Sequence, residues 1–285
     1  MYDWRDILAQ HQTFILKDER KPTRTISVNP VRNFSPYPSP RCGLAEVNTF
    51  SVDNRNKLLY GACGDMYGCY QWDLETHTLL TTLKGGHDNY LHSVKVVQDG
   101  SSVVLTGGED GKMGVWSGKS GGCELIDVIN ISEKLKIKQQ IQSKKKNHAW
   151  ISGIDVHDNN TNTDARWASI CGGVESNHQK SHSGYLMLYN LPTRTISSSV
   201  LTRECPQYVL HDDINDRTVT VGNESVLSYW SAFDNKKRDR VWCSTPSGYC
   251  VAINKHNGLT AVGGVGCKVD GFSDFGRKEM TWNFC

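Results

Sequence analysis

Hydrophobic positions alternate with polar or small residues over short segments, and similar segments recur along most of the chain. The clearest repeat begins at Gly86-His87, and strands are predicted at Tyr90–Val96, Val103–Gly107, Met113–Trp116 and Glu124–Ile129. Alternation over about four to eight residues between turn signals is typical of half-buried β-strands. The repeat therefore predicts one four-stranded antiparallel sheet.

The third predicted strand of each repeat ends in an aromatic residue. Intervals of 44, 73, 41 and 42 residues separate Trp72, Trp116, Tyr189, Trp230 and Phe272. Three intervals match the roughly 40 to 45 residues of a four-stranded propeller blade, and the long one contains polar insertions at 130–149, 157–165 and 174–183. The expected fold is all-β, a β-propeller of WD40 type with about five blades over residues 44–285.

Residues 1–43 do not fit a whole blade. The sequence of residues 2–6 resembles the end of a third strand, and residues 17–41 form a charged, proline-rich connector. We expect the end of one more blade followed by a basic connector, as in a chain whose earlier blades are missing from the gene model or isoform. The alternative is a flexible amino-terminal arm.

Four residues of the clearest repeat predict a hydrogen-bond network inside its sheet: His87, Thr106, Asp110 and Trp116. We expect His87 to donate to Thr106 and Thr106 to reach Asp110, with the indole completing the network. Each buried polar group without a partner would cost about 1–3 kcal/mol. The same residue types form catalytic relays, but their place inside a repeating unit favours a structural role.

The segment 131–146, ISEKLKIKQQIQSKKK, is the one stretch with helical character, and Ser132 is its expected cap. It carries a cluster of six lysines, Lys134, Lys136, Lys138, Lys144, Lys145 and Lys146. Such a cluster favours contact with RNA phosphates or recognition as a nuclear-import signal. The alternative is a solvated loop, since runs of charge are usually solvated.

Overall charge and composition exclude several classes of protein. The 285 residues contain 32 Lys and Arg against 30 Asp and Glu, so that the net charge of +2 predicts no bulk attraction to a polyanion. No apolar run is long enough to predict a membrane span. The ten cysteines never occur as Cys-x-x-Cys, and we expect them to be reduced, with Cys63, Cys171 and Cys250 buried.

The sequence contains no complete motif for catalysis. There is no phosphate-binding loop, no Gly-x-Ser-x-Gly elbow and no His-Glu-x-x-His pair. The sequence therefore predicts no enzyme activity, no cofactor, no bound metal and no small-molecule substrate.

Several segments resemble one WD40 family, that of the sixth subunit of the THO complex. The resemblance is carried by residues 73–94 (DLETHTLLTTLKGGHDNYLHSV), by 104–116 (VLTGGEDGKMGVW), by WISGI and WASICGG, and by CKVDGFSDFGRKEMTWNF near the end. It covers roughly residues 41–285. It implies a seven-bladed nuclear scaffold that contacts other THO subunits during mRNA processing, splicing and export, without enzyme activity.

This chain departs from the family pattern in two ways. It lacks sequence for the first blade and most of the second, and its lysine-rich insertion is longer than the family would suggest. Two other functions stay open at this point. One is a different WD40 adaptor, such as a ubiquitin-ligase substrate receptor, and the other is direct RNA binding through the lysine-rich segment.

Overall fold

The computed structural model describes residues 47–64, 67–97, 102–118, 120–135, 148–157, 167–175, 184–274 and 276–284. These residues belong to one compact unit, Glu46–Cys285. The partial blade and connector predicted for residues 1–43 lie outside the described residues, as do the central parts of the three insertions.

Twenty strands occur in the described residues, arranged as five antiparallel sheets of four strands each. The first sheet contains β1 Val47–Asp53, β2 Leu58–Cys63, β3 Gly68–Asp73 and β4 Leu79–Leu83, and the second contains β5 Leu91–Val96, β6 Val103–Gly108, β7 Lys112–Ser117 and β8 Glu124–Asn130. The third contains β9 His148–His157, β10 Trp167–Glu175, β11 Gly184–Asn190 and β12 Thr195–Thr202. The fourth contains β13 Pro206–Asp212, β14 Arg217–Gly222, β15 Val226–Ser231 and β16 Lys237–Trp242, and the fifth β17 Gly248–Ile253, β18 Thr260–Gly264, β19 Lys268–Phe272 and β20 Lys278–Asn283. The expected all-β class is confirmed.

Strands follow one another in space as they do along the chain. Within each sheet every strand pairs with its sequence neighbour, and between sheets β1 packs on β5, β5 on β9, β9 on β13 and β13 on β17. We call these five first strands the inner strands, because they line a common cavity, and the fourth strands the outer strands. This arrangement is compatible with a WD40-type propeller.

Each pair of consecutive sheets shares a cluster of buried apolar side chains. Leu105 of the second sheet packs with Ile151 of the third, and Tyr229 of the fourth packs with Phe272 of the fifth. Because the third sheet packs on the second and on the fourth, its strand β11 has six buried residues in succession, GYLMLY. The five aromatic residues that define the repeat are all at most 3% exposed: Trp72, Trp116, Tyr189, Trp230 and Phe272.

The first insertion begins with a short helix, α1, at Ile131–Lys134. Its cap is Asn130, which accepts a hydrogen bond from the backbone N–H of Glu133. The prediction of Ser132 as the cap was wrong, because the Ser132 hydroxyl instead accepts the N–H of Ala149 at 3.1 Å. Strand β9 also starts two residues inside the predicted insertion. No helix in the described ranges has the length and apolarity to cross a membrane.

The described cysteines are all free thiols. Cys63 and Cys171 are buried, as predicted. Cys250 is exposed, so the prediction of burial was wrong there. Cys250 is exposed because it lies on inner strand β17 and lines the cavity that the inner strands share.

Candidate functional site: blade networks and the inner-strand cavity

The structure brings together the four residues predicted to form a network in the second sheet. Nε2 of His87 lies 2.8 Å from Oγ1 of Thr106, and the Trp116 indole donates to the same oxygen at 2.8 Å. Nδ1 of His87 is 3.1 Å from a carboxylate oxygen of Asp110. The imidazole therefore lies between Thr106 and Asp110, whereas the sequence interpretation had those two residues in direct contact.

The Asp110 carboxylate also holds the backbone on both sides of the network. It accepts the backbone N–H of Asp88 at 3.1 Å and that of Lys112 at 3.0 Å. Burial alone would raise the pKa of Asp110, but the hydrogen bonds from His87 and from these two amides lower it below its usual value. The charged carboxylate therefore fastens the segment before β5 to the turn after β6.

The geometry of Thr106 suits a structural role. The residue is fully buried, and its hydroxyl is shared between an imidazole and an indole, whereas a nucleophile needs a path to its substrate. Packing around it is also close: a Cβ added at Gly114 would lie 2.6 Å from both Oγ1 of Thr106 and Nε1 of Trp116. Only glycine leaves room for this hydrogen bond.

A related arrangement in the fourth sheet was missed by the sequence interpretation. The Trp230 indole donates to Oγ1 of Thr220 at 2.8 Å, and the threonine again precedes the tryptophan by ten residues. Beside them, the buried Glu204 accepts from the Ser228 hydroxyl at 3.1 Å and from the Lys237 ammonium at 2.9 Å. The ten-residue spacing was the available signal, since it is shared with Thr106 and Trp116.

Two histidines form a buried stack between the third and fourth sheets. The rings of His157 and His211 have centroids 3.6 Å apart and planes within 8° of each other. His157 Nε2 lies 2.8 Å from the Ser169 hydroxyl. Burial and then the nearby His211 lower the pKa of His157 to about 3, and burial also lowers the pKa of His211. Both rings are therefore neutral at physiological pH.

Polar side chains on the inner strands join the first four sheets in series, each sheet to the next. In each case, a hydroxyl or carboxylate accepts a backbone N–H from the inner strand of the next sheet. The pairs are Thr49 with the N–H of Val94 at 3.1 Å, Ser51 with that of Val96 at 3.0 Å, Ser93 with that of Ile154 at 3.0 Å, and Asp155 with that of His211 at 2.6 Å. We call this series the inner-strand ladder. Sequence reasoning missed it.

Asp155 is the one charged acceptor of this ladder. It is 4% exposed, and its second carboxylate oxygen lies 2.5 Å from Nζ of Lys95 on β5. The same carboxylate thus contacts the inner strands of the second and fourth sheets from a position on the third. A buried charge is tolerated only with such partners.

The inner strands surround a cavity of about 660 Å³. Its lining combines hydroxyl and amide side chains with aromatic ones, among them Trp150 and Tyr208. Phe50 on β1 and Tyr249 on β17 also line it and are 69% and 56% exposed. Exposed aromatic residues are typical of surfaces that bind other proteins. Within the described ranges, no group of three or more metal-binding side chains is arranged to hold an ion.

The predicted lysine cluster is only partly described. Lys134 is the last residue of α1 and is exposed. Lys136, Lys138, Lys144, Lys145 and Lys146 lie outside the described residues. The structure therefore locates the start of the cluster, next to the outer strands of the second and third sheets.

The repeating sheets, buried aromatic positions and shared cavity define an all-β repeat protein, an arrangement compatible with a WD-repeat propeller. Comparison with curated proteins shows similarity to one named subunit in several organisms. The chain is similar to THO complex subunit 6 of Arabidopsis thaliana, with 27% identity over 99% of the chain. It is also similar to the THO complex subunit 6 homolog of Danio rerio, with 24% identity over 85% of the chain, and to THO complex subunit 6 of Homo sapiens, with 24% identity over 84% of the chain. The resemblance inferred from the sequence is confirmed.

The chain corresponds to only part of each relative. It spans 66% of the length of the Arabidopsis and Danio proteins and 63% of the human one. No protein-family model matches the chain.

Proposed function

We propose that this protein is a non-catalytic scaffold subunit of a THO-type complex, acting in the nucleus in mRNA processing and export through contacts with other subunits. The observation that carries the proposal is the similarity to THO complex subunit 6 from a plant, a fish and a mammal over 84% to 99% of the chain. The Arabidopsis match covers 99% of the chain, so it includes the strands of every described sheet and does not depend on one motif.

The architecture supports a scaffold role. Five packed sheets hold many loops and outer strands on one rigid body, so a partner can bind over a wide surface at little cost in ordering. We also propose that the complete fold is a seven-bladed propeller. The described sheets would supply five blades, and the exposed Phe50 and Tyr249 on the first and last inner strands would then face the remaining blades.

Affinity purification tests the assignment. The tagged full chain is expressed in cells and recovered from nuclear extract, and the bound proteins are identified by mass spectrometry. We expect THO subunits. Recovery of ubiquitin-ligase subunits without any THO component would contradict the proposal and favour the adaptor function. Phe272→Asp places a charge in a fully buried position, so it controls for recovery that does not require the folded chain.

Direct RNA binding is the second candidate function, and the exposed Lys134 at the start of the basic segment favours it. Contacts between lysines and phosphates release counterions, so binding should weaken steeply as salt increases. Replacing Lys144, Lys145 and Lys146 by glutamine should reduce both the affinity for single-stranded RNA and the slope of its salt dependence. Unchanged RNA binding by this variant would remove the segment as the RNA site.

A further inference from the structure

Strand β12 differs from the other outer strands. It is eight residues long, TISSSVLT, whereas β4, β8, β16 and β20 have five to seven. It carries no charge, while β8, β16 and β20 each contain at least two charged residues. The shorter β4 is also uncharged, but none of its residues is exposed. In β12, exposed and less exposed residues alternate.

The free side of an edge strand presents unpaired N–H and C=O groups, and natural proteins usually protect it with charges, proline or a bulge. Among the described strands, β12 pairs only with β11. Like the other outer strands, β12 contains a bulge, at Ser197, and its residues Ser198–Thr202 pair regularly with β11 beyond it. The four exposed side chains of β12 are those of Thr195, Ser197, Ser199 and Leu201, and none of them is charged. The strand is therefore available for pairing with an extended segment.

A groove of about 440 Å³ runs beside this strand. Its apolar part consists of Ile129, Leu135 and Ile196, and the groove also includes Thr195–Ser199. One apolar side chain from a paired strand would find contacts here, since alternate residues of an added strand point to one face of the sheet.

Polar features of the groove indicate what else the occupant carries. The lining contains two cations, Lys134 and Arg194. Arg194 also lies 3.8 Å from the carboxylate of Asp127 on β8, an ion pair between partly exposed side chains that contributes little. Tyr189 also lines the groove and is 1% exposed, and its hydroxyl has no hydrogen-bond partner. Such an unpaired buried hydroxyl costs free energy that a ligand acceptor would recover. An acidic side chain would supply both the acceptor and the charge complementary to the two cations.

We propose that β12 accepts an extended strand from a partner protein, with one apolar side chain against Ile129, Leu135 and Ile196 and an acidic side chain beside Lys134 and Arg194. The inference rests on the proposed scaffold function and specifies the chemistry of one partner. It places that partner on the outer rim between the second and third sheets, away from the inner-strand cavity.

Two labelled synthetic peptides of about nine residues test the proposal with the purified full chain. Both alternate apolar residues with charged ones, and the charged residues are glutamate in one peptide and lysine in the other. We expect the glutamate peptide to bind at least about tenfold more tightly by fluorescence anisotropy. It should also slow hydrogen exchange at the backbone amides of Thr195–Thr202. Equal binding of the two peptides, or unchanged exchange in β12, would overturn the proposal.

Charge variants examine the acidic contact. The double variant Lys134→Glu and Arg194→Glu should lose the glutamate peptide and prefer the lysine peptide. Lys236→Glu is the control for a charge reversal elsewhere, because this side chain is 83% exposed and lies in the turn between β15 and β16; it should bind as the unchanged chain does. Similar losses in the control and in the double variant would show an effect of net charge alone and would overturn the site.

Proline variants examine the strand pairing. N–H groups alternate in direction along a strand, so one of Ser198→Pro and Ser199→Pro removes an outward N–H and leaves the pairing with β11 intact. An unchanged unfolding midpoint identifies the variant whose lost N–H pointed outward. That variant should lose peptide binding. Retained binding would contradict strand addition.

The occupant of the groove and the assembly are tested separately. Peptide binding that appears only after residues 136–147 are replaced by a Gly-Ser linker would identify that segment as the occupant and overturn the partner proposal. Recovery of THO subunits with no binding of either peptide would overturn this inference and keep the proposed function. Peptide binding without recovery of THO subunits would overturn the proposed function and keep the strand-addition site on β12.

Discussion

The imidazole rings of His157 and His211 are stacked with centroids 3.6 Å apart. Since burial lowers the pKa of both rings, the folded chain keeps them neutral at a pH where an unfolded chain would protonate them. Two adjacent cations in this position would repel each other and lack hydration. The stack therefore links the stability of the third and fourth sheets to pH.

This relationship predicts destabilisation in mild acid. The folded pKa of His157 is about 3 against 6.5 for a free histidine, so the unfolded state takes up the proton first and stability decreases as pH falls from about 6.5 toward 3. The expected loss is about 1.4 kcal/mol per pH unit for this residue. Urea unfolding between about pH 7 and 5 measures it.

The variant His157→Gln should reduce the slope of unfolding free energy against pH over the same range. His256→Gln is the control, because His256 is exposed on the β17–β18 turn and should leave the slope unchanged. Equal slopes for the unchanged chain and His157→Gln would disprove the linkage to this ring.

Removing the central hydroxyl of the second-sheet network should destabilise the fold. Thr106→Val keeps the shape of the side chain but leaves the Trp116 indole and the His87 ring without their shared partner. We expect a loss of about 2–4 kcal/mol in unfolding free energy, since each unpaired buried group costs about 1–3 kcal/mol. Thr195→Val, at an exposed position, should change it by less than about 0.5 kcal/mol. A small effect at Thr106 would show that the network contributes little.

Gly114→Ala should disturb the same network by crowding. The new Cβ would lie 2.6 Å from each of the two hydrogen-bonded atoms, so the hydroxyl and the indole would have to separate, at a cost of about 1–3 kcal/mol. Gly122→Ala serves as the control because no atom lies within 4 Å of its added Cβ. Thermal unfolding of both variants measures the difference, and equal midpoints would exclude the crowding.

Variants of Asp155 separate the contribution of its ion pair with Lys95 from that of its hydrogen bond with His211. Asp155→Asn can still accept the N–H of His211 but loses the charge that faces Lys95, whereas Asp155→Ala loses both contacts. We expect alanine to reduce the unfolding free energy by about 3–5 kcal/mol and asparagine to reduce it less. Denaturant titration compares the two. Equal losses would assign the whole effect to the ion pair.

Much of the fold was readable from the sequence, and the reason is physical. The middle strands of the first four sheets are largely buried, so apolar runs, turn residues and an aromatic position recur at nearly constant intervals, as at Trp72, Trp116 and Trp230. The limits of the insertions were less accurate, because residues such as His148 and Ala149 are polar or small and do not announce a strand. These two residues belong to β9 because they pair with Glu175 and Val174 on β10.

The contacts between sheets were not readable in the same way. The inner-strand ladder joins Thr49 to Val94 and Ser93 to Ile154, positions far apart in sequence whose meeting depends on how sheets stack. A serine or threonine in a strand gives no sign of which neighbour it will contact. The network around Thr106 was easier to anticipate, since its members lie within one repeat, although the order of its contacts was not.

The ladder also bears on how such a chain can be rearranged by evolution or by design. An inner strand completes its hydrogen bonds with an atom that belongs to the preceding repeat, so a repeat copied or transplanted alone arrives with a donor that its new neighbour must satisfy. Exchange of repeats should therefore succeed only where the recipient offers a hydroxyl or carboxylate at the position of Thr49, Ser51, Ser93 or Asp155. Whether two repeats are compatible depends on the adjacent pair, and a library of shuffled repeats would be selected at these four positions first.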